Sequence, residues 1–134
     1  MDYPTFRPFT QDHAVTLGIG ALVIAALIFA GKRSANGRRL STALLALSGL
    51  MSYPLSVAAW MSLNKPPAID NLVPLHLCDL TAFIAGLALL TKHPLLRSLT
   101  YFWGLAATMQ ALLTPAITVG FPAWPFVMFF IQHF

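Results

Sequence analysis

The chain has 134 residues, of which 57% are hydrophobic and 9% charged, against about 45–50% and about 25% in ordinary soluble domains. With a mean hydropathy of +0.73, it carries more apolar surface than a water-facing globule hides, which excludes that class and points to the bilayer as solvent. The net charge of +4 comes from short basic runs beside apolar stretches, a pattern that orients a chain in a membrane and argues against a nucleic-acid partner.

The first predicted span covers residues 13–31. It is uncharged from Ala14 to Gly31, with Asp2 and Asp12 before it and Lys32, Arg33, Arg38 and Arg39 after it. A signal peptide has the opposite polarity, so the segment reads as a retained span with the N-terminus outside. The second span covers 40–63 and ends in the turn Asn64-Lys65-Pro66-Pro67. The third covers 72–91 and holds one charge, Asp79, before the basic turn Lys92-His93-Pro94 and Arg97. The fourth covers 98–114. Beyond it Pro115, Gly120, Pro122 and Pro125 break the helix pattern, and a fifth segment begins at 126–134. Its nine residues rise only ~14 Å, about half a hydrocarbon core, so the spacing predicts a re-entrant end or a truncated member of a longer family.

Lys32, Arg33, Arg38, Arg39, Lys92 and Arg97 fall on one side of this layout, and Arg7 and Lys65 on the other. The basic side is the cytoplasmic one in a multi-pass protein of the cell membrane. The expected architecture is all-α: one transmembrane helix bundle over residues 1–134, with four spans and an incomplete fifth. Tyr3, Tyr53, Trp60, Tyr101, Trp103 and Trp124 are expected near the span ends, as interfacial aromatics. Ala21 with Ala25, and Ala82 with Gly86, are small residues four apart that let helices approach closely.

The polar residues of the apolar stretches fall in one layer. Counted from the outer end of each span at ~1.5 Å per residue, Cys78 and Asp79 lie ~6–10 Å deep, Gln110 ~7 Å and His133 ~10 Å. An acid inside a membrane usually faces the bundle interior or a water-filled cavity. On a helix, His76 and Asp79 are three apart and share a face. Cys78 sits about 200° round from His76, so a base for this thiol has to come from another helix, and His133 is the one candidate at its depth. Each residue has a plainer reading too: Cys78 as a packed inert thiol, Asp79 and Gln110 as hydrogen-bonding groups between helices, His76 as a cap of the third span. His13 and His93 stand near span ends, where solvated or interfacial positions are expected. A single cysteine excludes an intrachain disulfide. The spacing of His76, Asp79 and His133 is not diagnostic of a metal site, and neither metal nor cofactor is expected.

The strings Val73-Pro74-Leu75-His76-Leu77-Cys78-Asp79-Leu80, Tyr101-Phe102-Trp103-Gly104-Leu105, Gln110-Ala111-Leu112-Leu113-Thr114-Pro115 and Phe129-Phe130-Ile131-Gln132-His133 together resemble the YwaF-like family of polytopic membrane proteins. That family is distantly similar to eukaryotic transmembrane acyltransferases that remodel ether phospholipids through a membrane cysteine and a histidine. The resemblance implies Cys78 as nucleophile and His133 as base, with Asp79 and His76 shaping the pocket and membrane lipids as partners. Ala116 and Ala123 stand where the family carries an acid and a polar residue, and the family continues for further spans after His133. Two other readings use the same residues. In one, Asp79, His76 and Gln110 line the path of a non-enzymatic solute-binding or transport subunit. In the other, the chain is a scaffold or accessory subunit that completes its bundle with a second copy or a partner membrane subunit.

Overall fold

The computed structural model describes residues 3–63 and 76–134. Among them the regular structure is helical: α1 (Gln11–Arg33), α2 (Ala35–Met61), α3 (Leu77–Thr91), α4 (Pro94–Trp103), a π segment (Gly104–Thr108), α5 (Met109–Leu113) and α6 (Trp124–His133). The fold is thus all-α, as composition and spacing indicate. The predicted turn at 64–67 and the opening of the third span at 72–75 lie outside the described residues.

α1 and α2, of 23 and 27 residues, are both long and apolar enough to cross a membrane. They form a hairpin with Ser34 between them, extended in backbone, whose hydroxyl accepts the Gly37 N–H at 2.9 Å. This bond satisfies one of the donors that a helix start leaves unpaired. The outward side of α1 is apolar and bare, with Leu22 at 72% and Phe29 at 63% exposure, as expected of a surface made for lipid rather than water. Ala21 and Ala25 lie on that exposed side, so among the described residues this small-residue pair packs no helix.

The second pair does. α2 and α3 run antiparallel and touch through Gly49 against Ala82 and Gly86 against Ala46, so close that a Cβ on Gly49 would meet the Ala82 carbonyl oxygen at 2.5 Å. Small residues spaced this way bring two backbones together. Inside α2, Pro54 lacks the N–H that would bond the Leu50 carbonyl, while the Ser52 hydroxyl donates to the Gly49 carbonyl at 2.8 Å.

α4, the π segment and α5 form one continuous helical rod from Pro94 to Leu113. In the π segment the Gly104 carbonyl accepts both the Met109 N–H and the Thr108 hydroxyl. One wide turn of this kind shifts the side chains after it to a new face, and such turns are frequent at functional sites. Trp103 consequently sits at mid-rod rather than near an end.

α6 is ten residues long, or ~15 Å. It is fixed by the chain's own beginning. Thr5 pairs with Val119 in an isolated antiparallel bridge, Phe6 N–H donates to the Thr118 carbonyl at 3.2 Å, and Gly120 N–H to the Pro4 carbonyl at 2.7 Å. Phe6 packs among Phe126, Phe130 and His13 with ring centroids 5.6–6.1 Å apart, and Ile117 and Ala123 complete this core. His13, expected at a solvated or interfacial position, is 2% exposed and packed inside the protein. Its Nδ1 accepts the Phe9 N–H at 3.1 Å, so its Nε2 carries the proton donated to the Leu112 carbonyl at 2.8 Å. An imidazole with both nitrogens occupied can be buried without an orphaned polar group.

Candidate functional site

Five elements converge on a cavity of about 510 Å³, within the size range of small-molecule sites. α2 supplies Tyr53, Ser56 and Trp60; the start of α3 supplies Cys78 and Asp79, with His76 just before it; the π segment and α5 supply Ala106, Ala107, Gln110 and Ala111; α6 supplies Phe129, Gln132 and His133. All five residues singled out in the sequence (Cys78, His133, His76, Asp79 and Gln110) therefore face one space. Tyr53 and Trp60 line it as well, since Tyr53 sits eight residues inside α2 rather than near its end.

His76 is the residue before α3, with φ −70° and ψ 136°. It is therefore not part of the helical face that the three-residue spacing gives it with Asp79, and it stands exposed at the cavity edge. Cys78 and Asp79 are half-buried in the first turn of α3. The partner of Asp79 comes from across the cavity: the Gln132 amide donates to its Oδ1 at 2.5 Å. In the sequence Gln132 stands inside the Phe129–His133 string with no motif of its own. Its signal is that it precedes His133 on a short apolar helix, where an amide needs a partner.

His133 is 7% exposed, with its ring against Phe129 at 4.2 Å between centroids. Its Nδ1 lies 2.6 Å from the Phe129 carbonyl oxygen. A carbonyl only accepts, so in the neutral ring Nδ1 carries the proton and Nε2 holds the lone pair. No hydrogen bond occupies Nε2 among the described residues. Gln110 is exposed to the cavity and reaches Thr114 Oγ1 only at 3.4 Å, a long contact that leaves its amide able to turn toward a ligand. Leu77, Ala106, Ala107, Ala111, Ile117 and Pro125 make the remaining walls largely apolar. Among the described residues no three of His, Cys, Asp and Glu converge closely enough to hold a metal ion.

Two helices of membrane-crossing length with bare apolar outer faces, beside a largely apolar cavity between helices, are features of a helical membrane protein. Its kinship points the same way. The chain belongs to the TMEM164 family, a family of membrane proteins, which matches it over residues 8–134 and so takes in α1 and α2 as well as the cavity strings. No curated protein and no solved structure matches the chain.

Proposed function

We propose that the chain is a multi-pass membrane protein that transfers an acyl group between lipids, with Cys78 as nucleophile and His133 as base. The observation that carries this reading is a thiol and a histidine with an unoccupied ring nitrogen lining one largely apolar cavity. The resemblance of the strings around Cys78 and His133 to the YwaF-like family, itself distantly similar to cysteine-dependent membrane acyltransferases, supports it.

In the first half-reaction His133 Nε2 takes the Cys78 proton as the sulfur attacks the ester carbonyl carbon of a phospholipid. The tetrahedral intermediate collapses, the ester C–O bond breaks, and the leaving alkoxide takes the proton back from His133. A lysolipid departs, and the acyl group stays on Cys78 as a thioester. In the second half a hydroxyl of another lysolipid gives its proton to His133 and attacks the thioester, and the released thiolate is reprotonated. Gln132, held by Asp79, and Gln110 supply amide donors on the cavity wall for the oxyanion.

The membrane layout belongs to the same reading. The α1–α2 turn and the α3–α4 turn bring Lys32, Arg33, Arg38, Arg39, Lys92 and Arg97 to one end of the antiparallel helices. Placing that end in the cytoplasm puts the N-terminus outside and four spans in the cell membrane.

The test is acyl exchange between a labelled phospholipid and a lysophospholipid in vesicles containing the purified chain. Cys78→Ala and His133→Gln are each expected to abolish exchange, and hydroxylamine is expected to release labelled acyl chain from the wild type but not from Cys78→Ala. Exchange that survives Cys78→Ala refutes the reading. Solute uptake into the same vesicles that is lost in Asp79→Asn and retained in Cys78→Ala assigns the cavity to transport instead.

A further inference from the structure

A second site lies on the face of α6 opposite the one that lines the cavity. An apolar groove of about 480 Å³ runs between α1, α2 and α6, walled by Ile19, Val23, Leu44, Phe126 and Phe134. It continues into a smaller groove of about 260 Å³ between α1 and α2, and the two share Ile24, Leu27 and Leu45. The smaller groove ends at Gly31 and Arg38.

The lining changes character along one face of α2. Arg38, Thr42 and Leu45 are spaced four and three apart, so they stack on one side of the helix. The series runs from guanidinium to hydroxyl to hydrocarbon. Neither the Arg38 guanidinium nor the Thr42 hydroxyl has a partner among the described residues. The neighbouring Ser41 hydroxyl, by contrast, is committed to the Leu27 carbonyl at 2.9 Å. Lys32 and Arg33 in the last turn of α1, and Arg39 next to Arg38 in α2, stand at the same end of the hairpin. The two acids among the described residues are remote: Asp12 opens α1, ~30 Å along the helix from Lys32, and Asp79 lies across the bundle at the height of Tyr53.

We infer that this groove holds one anionic phospholipid, with its phosphate at Arg38, its ester region at Thr42 and one acyl chain along Leu45, Leu27 and Ile24 toward Phe134. Charge complementarity selects the headgroup, because four cations without a described acid form a site for a phosphate. Length selects a lipid over a free anion. From Gly31 to Ile19 the groove follows α1 for ~18 Å, slightly more than the half-core that a single leaflet spans. Apart from Thr16 and Ser48, the larger groove offers no side-chain polar group to anything lying in it. This inference rests on the membrane reading but not on the acyl-transfer chemistry.

The test uses the purified full chain, stripped of lipid in detergent and offered dioleoyl-phosphatidylglycerol or dioleoyl-phosphatidylcholine at equal concentration, with bound lipid counted by native mass spectrometry. The wild type is expected to retain one phosphatidylglycerol in preference to phosphatidylcholine. Arg38→Gln should lower that retention about fivefold, as expected for one interfacial cation worth ~1 kcal/mol. Leu45→Trp, which fills the groove without touching the charges, should lower it as well, while Lys92→Gln at the other basic turn should not. Equal retention in Arg38→Gln and wild type, or displacement of the lipid by inorganic phosphate alone, overturns the inference. Carbonate extraction of the same chain from membranes reads the membrane assignment separately: release into the soluble fraction defeats that assignment, and an extraction-resistant chain without lipid preference defeats only the groove.

Discussion

Replacing Gly49 with Ala separates the two effects that a new methyl group has in a helix. The first is common to any mid-helix glycine: alanine gains about 1 kcal/mol in helix propensity. The second depends on place. At Gly49 the added Cβ falls 2.5 Å from the Ala82 carbonyl oxygen and 3.1 Å from the Gly86 nitrogen, both backbone atoms of α3. Ordinary carbon–oxygen contacts lie at about 3.3–3.6 Å, so the α2 and α3 backbones must part by ~1 Å. Forced repacking of this kind costs about 1–3 kcal/mol. Gly18 in α1 has nothing within 4 Å of its added Cβ and shows the propensity gain alone. The difference between the two variants cancels the propensity and isolates the clash, so Gly49→Ala is expected to be less stable than Gly18→Ala by about 1–3 kcal/mol. Thermal unfolding of both variants in one detergent, followed by far-ultraviolet circular dichroism, measures this difference. Equal shifts in the same direction would refute the close α2–α3 contact. Gly86→Ala should fall between them, since its added Cβ meets the Ala46 carbonyl and the side chain of Leu50, both at 2.9 Å, and a side chain yields more readily than a backbone.

Two further predictions concern the polar links of the site. Gln132→Leu strips Asp79 of its amide donor and should destabilise the fold by about 1.5–3 kcal/mol; in a double-mutant cycle with Asp79→Asn, a coupling energy near zero would show that the 2.5 Å bond is not formed. His13→Phe keeps the ring volume but leaves the Phe9 N–H and the Leu112 carbonyl without partners, at about 1–3 kcal/mol each. Amide hydrogen exchange in α6 should accelerate in that variant, and unchanged protection there would contradict the role of His13 as a fastener.

The helices were legible in the sequence because a charge-poor apolar run bounded by basic turns has few other structures open to it. The segments expected at 13–31, 40–63 and 98–114 overlap α1, α2 and the rod from Pro94 to Leu113. That Cys78, Asp79, Gln110 and His133 line one cavity is consistent with their similar positions along the expected spans, since helical rise converts position in a span into height. Azimuth was not legible. Ala21 with Ala25 has the same spacing as Ala82 with Gly86, yet only the latter pair turns toward a neighbouring helix, and nothing local distinguishes them. The π segment was hidden for a related reason: one wide turn changes which face follows it without changing composition. His13 and Gln132 were missed because their partners, the Leu112 carbonyl and Asp79, lie 99 and 53 positions away, beyond what periodicity reports.

The bridge between Thr5 and Val119 has a consequence for biosynthesis. The segment around Thr5 leaves the ribosome well before Val119 and acquires its pairing partner only after more than a hundred further residues have been made. Until then Phe6 and His13 have no aromatic shell to enter, and the helix that carries Gln132 and His133 has nothing to dock against. The α6 wall of the cavity is accordingly fixed late, by a segment made more than a hundred residues before its partner, so a bulky insertion directly ahead of Tyr3 would strain the pairing that holds it.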